Sequence, residues 1–103
     1  MVHPVIAAVV RMNASGERAT LSEVAGNARM SELAAEVALD GRMAYGQIGR
    51  STHPGWVQPS SYYYIGATIK GEKGSTGIFV SKTTGEPLPY PSDLSDVVIE
   101  WVN

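Results

Sequence analysis

The two histidines are the chain's candidates for acid–base or metal chemistry, because cysteine is absent. His3 lies beside the N-terminus, where side chains are usually solvated. His53 is close in sequence to three serines, which are Ser51, Ser60 and Ser61. A serine beside a histidine could form a nucleophile–base pair, but no G-x-S-x-G elbow is present and no acid lies near enough in sequence to orient the imidazole. No ligand motif for a metal is present either, so the sequence predicts no catalytic residue, no metal site and no cofactor, and favours a protein that is not an enzyme.

The composition is that of one small domain, residues 1–103. The formal net charge is −2 and only 17% of residues are charged, which argues against binding of nucleic acid through phosphate neutralisation. The apolar run at residues 5–10 is too short to span a bilayer and lacks the basic flank of a signal peptide. We therefore expect a cytoplasmic protein that binds neither nucleic acid nor a membrane.

A β-hairpin at residues 61–82 is the clearest local pattern. Residues 61–70 alternate with the period of two that a half-buried strand requires. A glycine-bounded loop at residues 71–74 and a β-rich run at residues 76–82 follow, which together predict an antiparallel hairpin. The alternation is expected to bury Tyr63 and Ile69, and to direct Tyr62 and Tyr64 away from the core.

Helices are expected on the N-terminal side of this hairpin. Residues 5–12 are apolar enough for a buried helix or a buried strand, and the stop signals at residues 13–16 favour the helix. Thr20 and Glu23 form a capping box that begins a second helix. The apolar stripe then changes sides at residues 26–27, which predicts a break and a further helix at residues 28–40. The residues expected to form its buried face are Met30, Leu33, Ala34 and Val37.

The remaining segments are less regular. Residues 42–49 are a weak strand candidate with Met43 and Tyr45 on one face, and residues 50–60 have the composition of a loop. The apolar residues at the C-terminus have helical spacing, although VVIEWV is also β-rich, so helix is favoured narrowly over a final strand. The expected fold is α+β, with N-terminal helices packed on an antiparallel sheet built around the 61–82 hairpin and a short C-terminal helix or strand.

An acidic and aromatic surface is the strongest recognition feature. No basic residue follows Lys82, so the C-terminal segment carries a local negative field that could steer a basic partner. Trp56 lies in a loop, where it either fills the edge of the core or contacts a partner. Exposed tyrosines give a large contact area at small entropic cost. The candidate partner-binding residues are Trp56, Tyr62, Tyr64, Asp93, Asp96 and Glu100.

The order of helix, antiparallel hairpin, tight turn and acidic tail resembles small bacterial α+β immunity proteins that neutralise toxins. The turn has the form K-x-T-G-E, with Lys82, Thr84, Gly85 and Glu86 as its fixed residues. Cystatin-like and peptidase-propeptide inhibitor modules are similar as well. The likeness covers residues 61–100, and the N-terminal run departs from the single long helix of those families. The resemblance implies a protein that binds another protein stoichiometrically.

Three hypotheses follow. The first is a cytoplasmic binding module of inhibitor or immunity type, with a basic toxin or enzyme as its partner. The second is a small-molecule enzyme or ligand-binding domain with a pocket between helix and sheet; its expected lining residues are Tyr45, His53, Trp56, Tyr62 and Tyr64. The third is an oligomer in which an edge of the hairpin pairs between subunits.

Overall fold

The computed structural model describes residues 1–52 and 59–103. Three α-helices come first in this part of the chain: α1 (Pro4–Ala14), α2 (Leu21–Ala28) and α3 (Glu32–Ala44). Each begins at a side chain that accepts a hydrogen bond from a free N–H of the first turn. The capping residues are His3, Thr20 and Ser31. The helical interpretation of residues 5–12 and the helix start at Thr20 are therefore confirmed.

The break between α2 and α3 lies later than predicted. Gly26 and Asn27 remain helical, and the chain turns at Arg29, whose φ of 56° is left-handed. Ser31 then accepts a hydrogen bond from the Ala34 N–H at 3.1 Å, which begins α3. A break was expected, but the side-chain cap at Ser31 rather than the glycine determines where the next helix starts.

The predicted buried face of α3 is wrong. Leu33 and Val37 are 73% and 65% exposed, whereas Ala35 and Leu39 are fully buried. Apolar residues at 33–35 and 37–39 surround most of the helix, so two stripes of similar hydrophobicity compete for the core. Packing of α3 on α2, β1 and α1 selects the stripe that contains Leu39.

The strands form two small antiparallel sheets, and the predicted α+β class is confirmed. One sheet pairs β1 (Ile48–Ser51) with β2 (Ser61–Tyr64). The other has the order β3-β4-β5, formed by β3 (Thr68–Lys70), β4 (Thr76–Ser81) and β5 (Val97–Trp101). The predicted strand at residues 42–49 is mostly wrong, because α3 continues to Ala44 and β1 begins only at Ile48.

The predicted hairpin is confirmed for β3 and β4. The prediction that β2 also belongs to this hairpin is wrong. The alternating segment at residues 61–70 divides, and its first half pairs with β1 instead of β4. Gly66 lies at the division with a φ of 154°, and a Cβ at this position would come within 2.8 Å of the Pro89 Cα. Alternation along a chain reports which residues share a face, but it does not report which sheet the strand joins.

The two faces of β2 are the reverse of the prediction. Tyr62 and Tyr64 are 6% and 9% exposed, while Tyr63 is 45% exposed. The expected outward position of Tyr62 and Tyr64 is therefore wrong. Either face of this strand could supply aromatic residues to a core, and the contact of β2 with α1 selects the even-numbered face.

The C-terminal segment is a strand, so the narrow preference for a helix is wrong. A 3₁₀ turn (Leu94–Asp96) leads into β5, which pairs with β4 in a register that places Ile99 opposite Phe79. Pairing with β4 satisfies backbone groups and favours the β-branched run at residues 97–99. The alternative of a final strand joined to the hairpin is confirmed.

The core lies where α1 meets α2, α3, β2 and β4. With the exception of Thr76, its largest fully buried side chains are apolar: Ile6, Leu39, Ile48, Ile78, Val5, Val9, Val10 and Val24. Ile78 and Val80 are buried while Phe79 is only partly so, which shows that β4 directs Ile78 and Val80 into the core. None of the described helices has the length and apolar character needed to cross a bilayer.

Candidate functional site

The six predicted partner-binding residues are not brought together. Trp56 lies outside the described residues, as does His53 of the predicted pocket. Of the remaining five, Tyr62 and Tyr64 are in the core, Glu100 lies on the inner face of β5, and Asp93 and Asp96 lie together near the start of β5.

Tyr62 and Tyr64 hold β2 against α1 instead of forming a surface. The Asn13 side chain donates to the Tyr62 carbonyl at 3.3 Å and accepts from the Tyr64 N–H at 2.9 Å. Burial raises the pKa of Tyr64 to about 12, with a smaller contribution from Tyr90. Neither ring can take part in a surface contact without opening the core.

Glu100 is engaged within the chain. It lies opposite Ile78 in the sheet register and therefore shares the inner face with the core. Its Oε2 accepts a hydrogen bond from the Val2 N–H at 2.7 Å. This contact fixes the N-terminal residues against β5.

Asp93 and Asp96 line a groove that also contains an exposed aromatic ring. We call it the acidic groove and define it by residues 88–93 and Asp96; its volume is about 310 Å³. Tyr90, within the groove, is 74% exposed, and Leu94 beside it is 72% exposed. No basic residue is among the described residues that line this groove.

Hydrogen bonds fix both carboxylates of the acidic groove. Asp96 accepts from the Ser81 hydroxyl at 2.6 Å and from the Thr83 hydroxyl at 2.9 Å and N–H at 3.2 Å. Asp93 accepts from the Ser95 N–H at 3.0 Å and hydroxyl at 2.8 Å. The bond from Ser81 lowers the pKa of Asp96 most, and the backbone bond from Ser95 lowers that of Asp93 most. Both are therefore ionised at neutral pH, which suits binding of a cation better than proton transfer.

The sequence could identify the acids of this groove but not the groove. The absence of basic residues after Lys82 marks the segment as negative. The fixing of Asp96 depends on Ser81 and Thr83, which lie at the end of β4 and in the following turn. That contact requires knowing that β5 pairs with β4, which the sequence left open.

A second cavity, of about 360 Å³, lies between α1 and the strands. The described residues that line it are Val10, Asn13, Ala14, Tyr64, Gly66, Thr68, Lys70 and Thr76. The buried hydroxyls of Tyr64 and Thr76 have no hydrogen-bond partner among the described residues. Of the residues predicted to line a pocket, Tyr64 is here, whereas Tyr45 borders a different cavity with Arg42, Gln47 and Glu86.

An apolar surface on the three-stranded sheet was not predicted from the sequence. Residues that oppose each other in antiparallel strands project from the same face. The register therefore places five apolar residues on the face opposite the core, which we call the outer face: Ile69, Phe79, Val97, Ile99 and Trp101. Ile99 and Trp101 are 41% and 48% exposed. A strand interpretation of residues 97–101 would have revealed this surface by its alternation.

His3 has a structural role that the expectation of a solvated terminal side chain missed. Its Nδ1 accepts from the Val5 N–H at 3.1 Å and caps α1. Burial, and then the nearby Arg42, lower the pKa of His3. Within residues 1–52 and 59–103, no three His, Asp or Glu side chains lie close enough together to hold a metal ion.

Comparison of the chain with protein-family models, curated proteins and solved structures found no match.

Proposed function

We propose that this protein is a small binding module of inhibitor or immunity type, which associates stoichiometrically with another protein and contacts a basic part of it through the acidic groove. One observation carries the proposal: Asp93 and Asp96 are fixed as carboxylates in the same groove as the exposed ring of Tyr90.

The groove suits an arginine or lysine side chain. Carboxylates accept charge-assisted hydrogen bonds from a guanidinium group, and a tyrosine ring attracts a cation to its face. Because neighbouring donors already fix Asp93 and Asp96, little side-chain entropy is lost when a partner binds. An arginine held between an acid and an aromatic ring has the composition of an interface hot spot.

The turn at residues 82–86 supports the groove directly. Thr83 donates two hydrogen bonds to Asp96, and the Thr84 N–H donates to the Ser81 hydroxyl at 3.2 Å. Gly85 has a φ of 74°, which glycine adopts without strain. The turn thus has a structural function in this chain, because Thr83, at the variable position of the K-x-T-G-E pattern, helps to position an acid of the proposed interface.

The experiment is affinity capture from the source cells, followed by calorimetric titration of each purified candidate, including the products of neighbouring genes. Tyr90→Ala and Asp93→Asn are expected to weaken binding about tenfold or more. Asp40→Asn is the matched control, because Asp40 is exposed on α3 and is not among the residues that line the groove. Binding should also weaken as salt rises, since it depends on opposite charges.

The proposal is wrong if no protein binds with micromolar or better affinity. It is also wrong if a captured partner binds wild type, Tyr90→Ala and Asp93→Asn equally well.

A second candidate function, a ligand-binding domain, is favoured by the cavity between α1 and the strands. A buried hydroxyl without a partner costs about 1–3 kcal/mol, and two residues that line this cavity, Tyr64 and Thr76, carry such hydroxyls. A polar ligand beside Lys70 could satisfy them. Native mass spectrometry of protein from the source cells tests the idea: a small molecule bound to wild type and lost from Tyr64→Phe supports it, and a bare wild-type mass contradicts it.

A further inference from the structure

Among residues 1–52 and 59–103, the strand β5 has a free edge. Val102, just after the strand, donates its N–H to the Thr76 carbonyl at 2.9 Å, so even-numbered residues of this segment direct their backbone groups towards β4. The odd-numbered residues direct theirs away from the sheet. They are Val97, Ile99 and Trp101. In the described part of the chain, no strand or loop pairs with that edge.

The same odd-numbered residues contribute side chains to the outer face. The edge of β5 therefore presents unpaired backbone groups beside exposed apolar side chains. Proteins usually protect such an edge with lysine, proline, a bulge or an inward-pointing charge. Within Val97–Trp101 there is no lysine, proline or bulge, and the one inward-pointing charge, Glu100, is engaged by the Val2 N–H. An edge of this kind is suited to pairing with another strand.

Trp101 is already fixed in position. A Cβ at Gly71 would lie 2.6 Å from the Trp101 Cζ3, and a Cβ at Gly77 would lie 3.0 Å from its Cε3. The ring therefore lies directly against two positions that have no side chain. A partner that covers the ring would pay little further entropy to order it.

We propose that β5 pairs with β5 of a second copy of this chain, antiparallel about a two-fold axis at Ile99. The two three-stranded sheets then form one continuous sheet. In this register Ile99 lies opposite Ile99 of the second copy, and Val97 lies opposite Trp101. All of the outward backbone groups of the strand find partners, and the apolar residues of the two outer faces become adjacent.

A second copy fits this edge because the strand is complementary to itself. Glu100 is the one charged residue of β5 and would lie opposite Val98 of the second copy, so no two acids face each other directly. Its carboxylate is also held by the Val2 N–H on the inner side of its own chain. Asp96, just before the strand, would lie opposite Val102. A two-fold axis at any other outward residue would leave fewer pairs within the strand.

The dimer is expected to dissociate in the micromolar range. One pair of five-residue strands with a flanking apolar strip is smaller than a standard stable interface, which buries about 1,600 Å². Sedimentation equilibrium should therefore show a mass that rises from monomer towards dimer as protein increases to about 100 μM.

Ile99→Lys tests the surface. A lysine at the centre of the pairing would place two like charges opposite each other and is expected to lower dimer affinity at least tenfold. Leu33→Lys is the matched control, since Leu33 is 73% exposed on α3 and its replacement should leave the dimer unchanged. Circular dichroism confirms that each variant is folded.

Single cysteines test the register, because the chain has no cysteine of its own. Ile99→Cys would face its symmetry mate at about 5.5 Å between Cα atoms, a distance that a disulfide can bridge. Val97→Cys would lie roughly 13 Å from its symmetry mate along the strands and cannot cross-link. Rapid oxidation to a covalent dimer by the first variant alone is the expected result.

A wild-type mass that stays monomeric up to about 100 μM would overturn the proposal. Equal cross-linking of both cysteine variants, or an Ile99→Lys protein that dimerises as wild type does, would overturn it as well. The experiment uses neither the acidic groove nor its partner, so its result is independent of the proposed function.

Discussion

Leu39→Ala and Val37→Ala provide a direct comparison of the two possible buried faces of α3. Leu39 is fully buried in the structure, whereas Val37 is 65% exposed. The helical spacing of the sequence alone favoured Val37 as the buried residue. The two substitutions lie two residues apart in the same helix, so differences in helix position contribute little to the comparison.

The expected costs differ by several-fold. Leu39→Ala removes three carbon atoms from a fully buried site, and at about 0.8 kcal/mol per methylene the transfer cost is roughly 2.4 kcal/mol. The remaining cavity raises the loss in unfolding free energy to about 3–4 kcal/mol. Val37→Ala removes mainly solvated carbon atoms and introduces a better helix former, so its effect should lie within about 0.5 kcal/mol of zero.

Urea denaturation followed by circular dichroism measures both effects. With a slope of about 1.5 kcal/mol/M, Leu39→Ala should lower the midpoint by about 2 M. Val37→Ala should leave the midpoint nearly unchanged, and neither variant should change the slope. A larger loss in Val37→Ala than in Leu39→Ala would mean that α3 buries the other stripe, and the packing described for this helix would be wrong.

Three further predictions follow from specific contacts. Asn13→Ala should lower the unfolding free energy by about 1–2 kcal/mol, because the Tyr64 N–H loses its acceptor; urea denaturation measures the loss, and an unchanged midpoint would contradict it. Asp96 has a lowered pKa in the folded state, so its carboxylate stabilises the fold above pH about 4 and loses this effect as the pH falls through the lowered pKa. The wild-type melting temperature should therefore exceed that of Asp96→Asn at pH 7 and converge with it in acid, and a constant difference would refute this reasoning. Gly71→Ala should destabilise wild type more than it destabilises Trp101→Ala, with a coupling of about 0.5–2 kcal/mol, because the added Cβ would meet the indole ring; additive effects would show that the ring does not lie there.

Local sequence signals predicted where helices and turns begin better than they predicted which strands pair with each other. The capping box at Thr20 begins α2, and the glycine-bounded loop after β3 is a turn, because a cap or a turn is satisfied by residues close in sequence. Whether residues 97–101 form a helix or a strand depends on their pairing with β4, which is distant in sequence. Helical spacing and β-rich composition were both present there, and only the pairing distinguishes them.

The tyrosines of β2 show that the sequence also leaves open which face of a strand is buried. Tyr62, Tyr63 and Tyr64 are chemically equivalent, so no local pattern says which of them enters the core. The decision depends on the packing of β2 against α1, where the Asn13 side chain also bonds the backbone of Tyr62 and Tyr64. A candidate interface chosen from residue type alone therefore included two core residues and omitted Trp101.

The two proposed surfaces together make a prediction about stoichiometry. The acidic groove and the edge of β5 lie on consecutive segments, but the groove uses side chains of residues 88–93 and Asp96, while the dimer uses outward groups of Val97, Ile99 and Trp101. If both surfaces act, each chain of a dimer keeps its own groove, so calorimetry gives one partner per chain while sedimentation gives a complex of two chains and two partners. Ile99→Lys should then halve the mass of the complex without changing the ratio. A changed ratio in that variant would mean that the partner contacts the edge of β5, and that the groove alone does not define the interface.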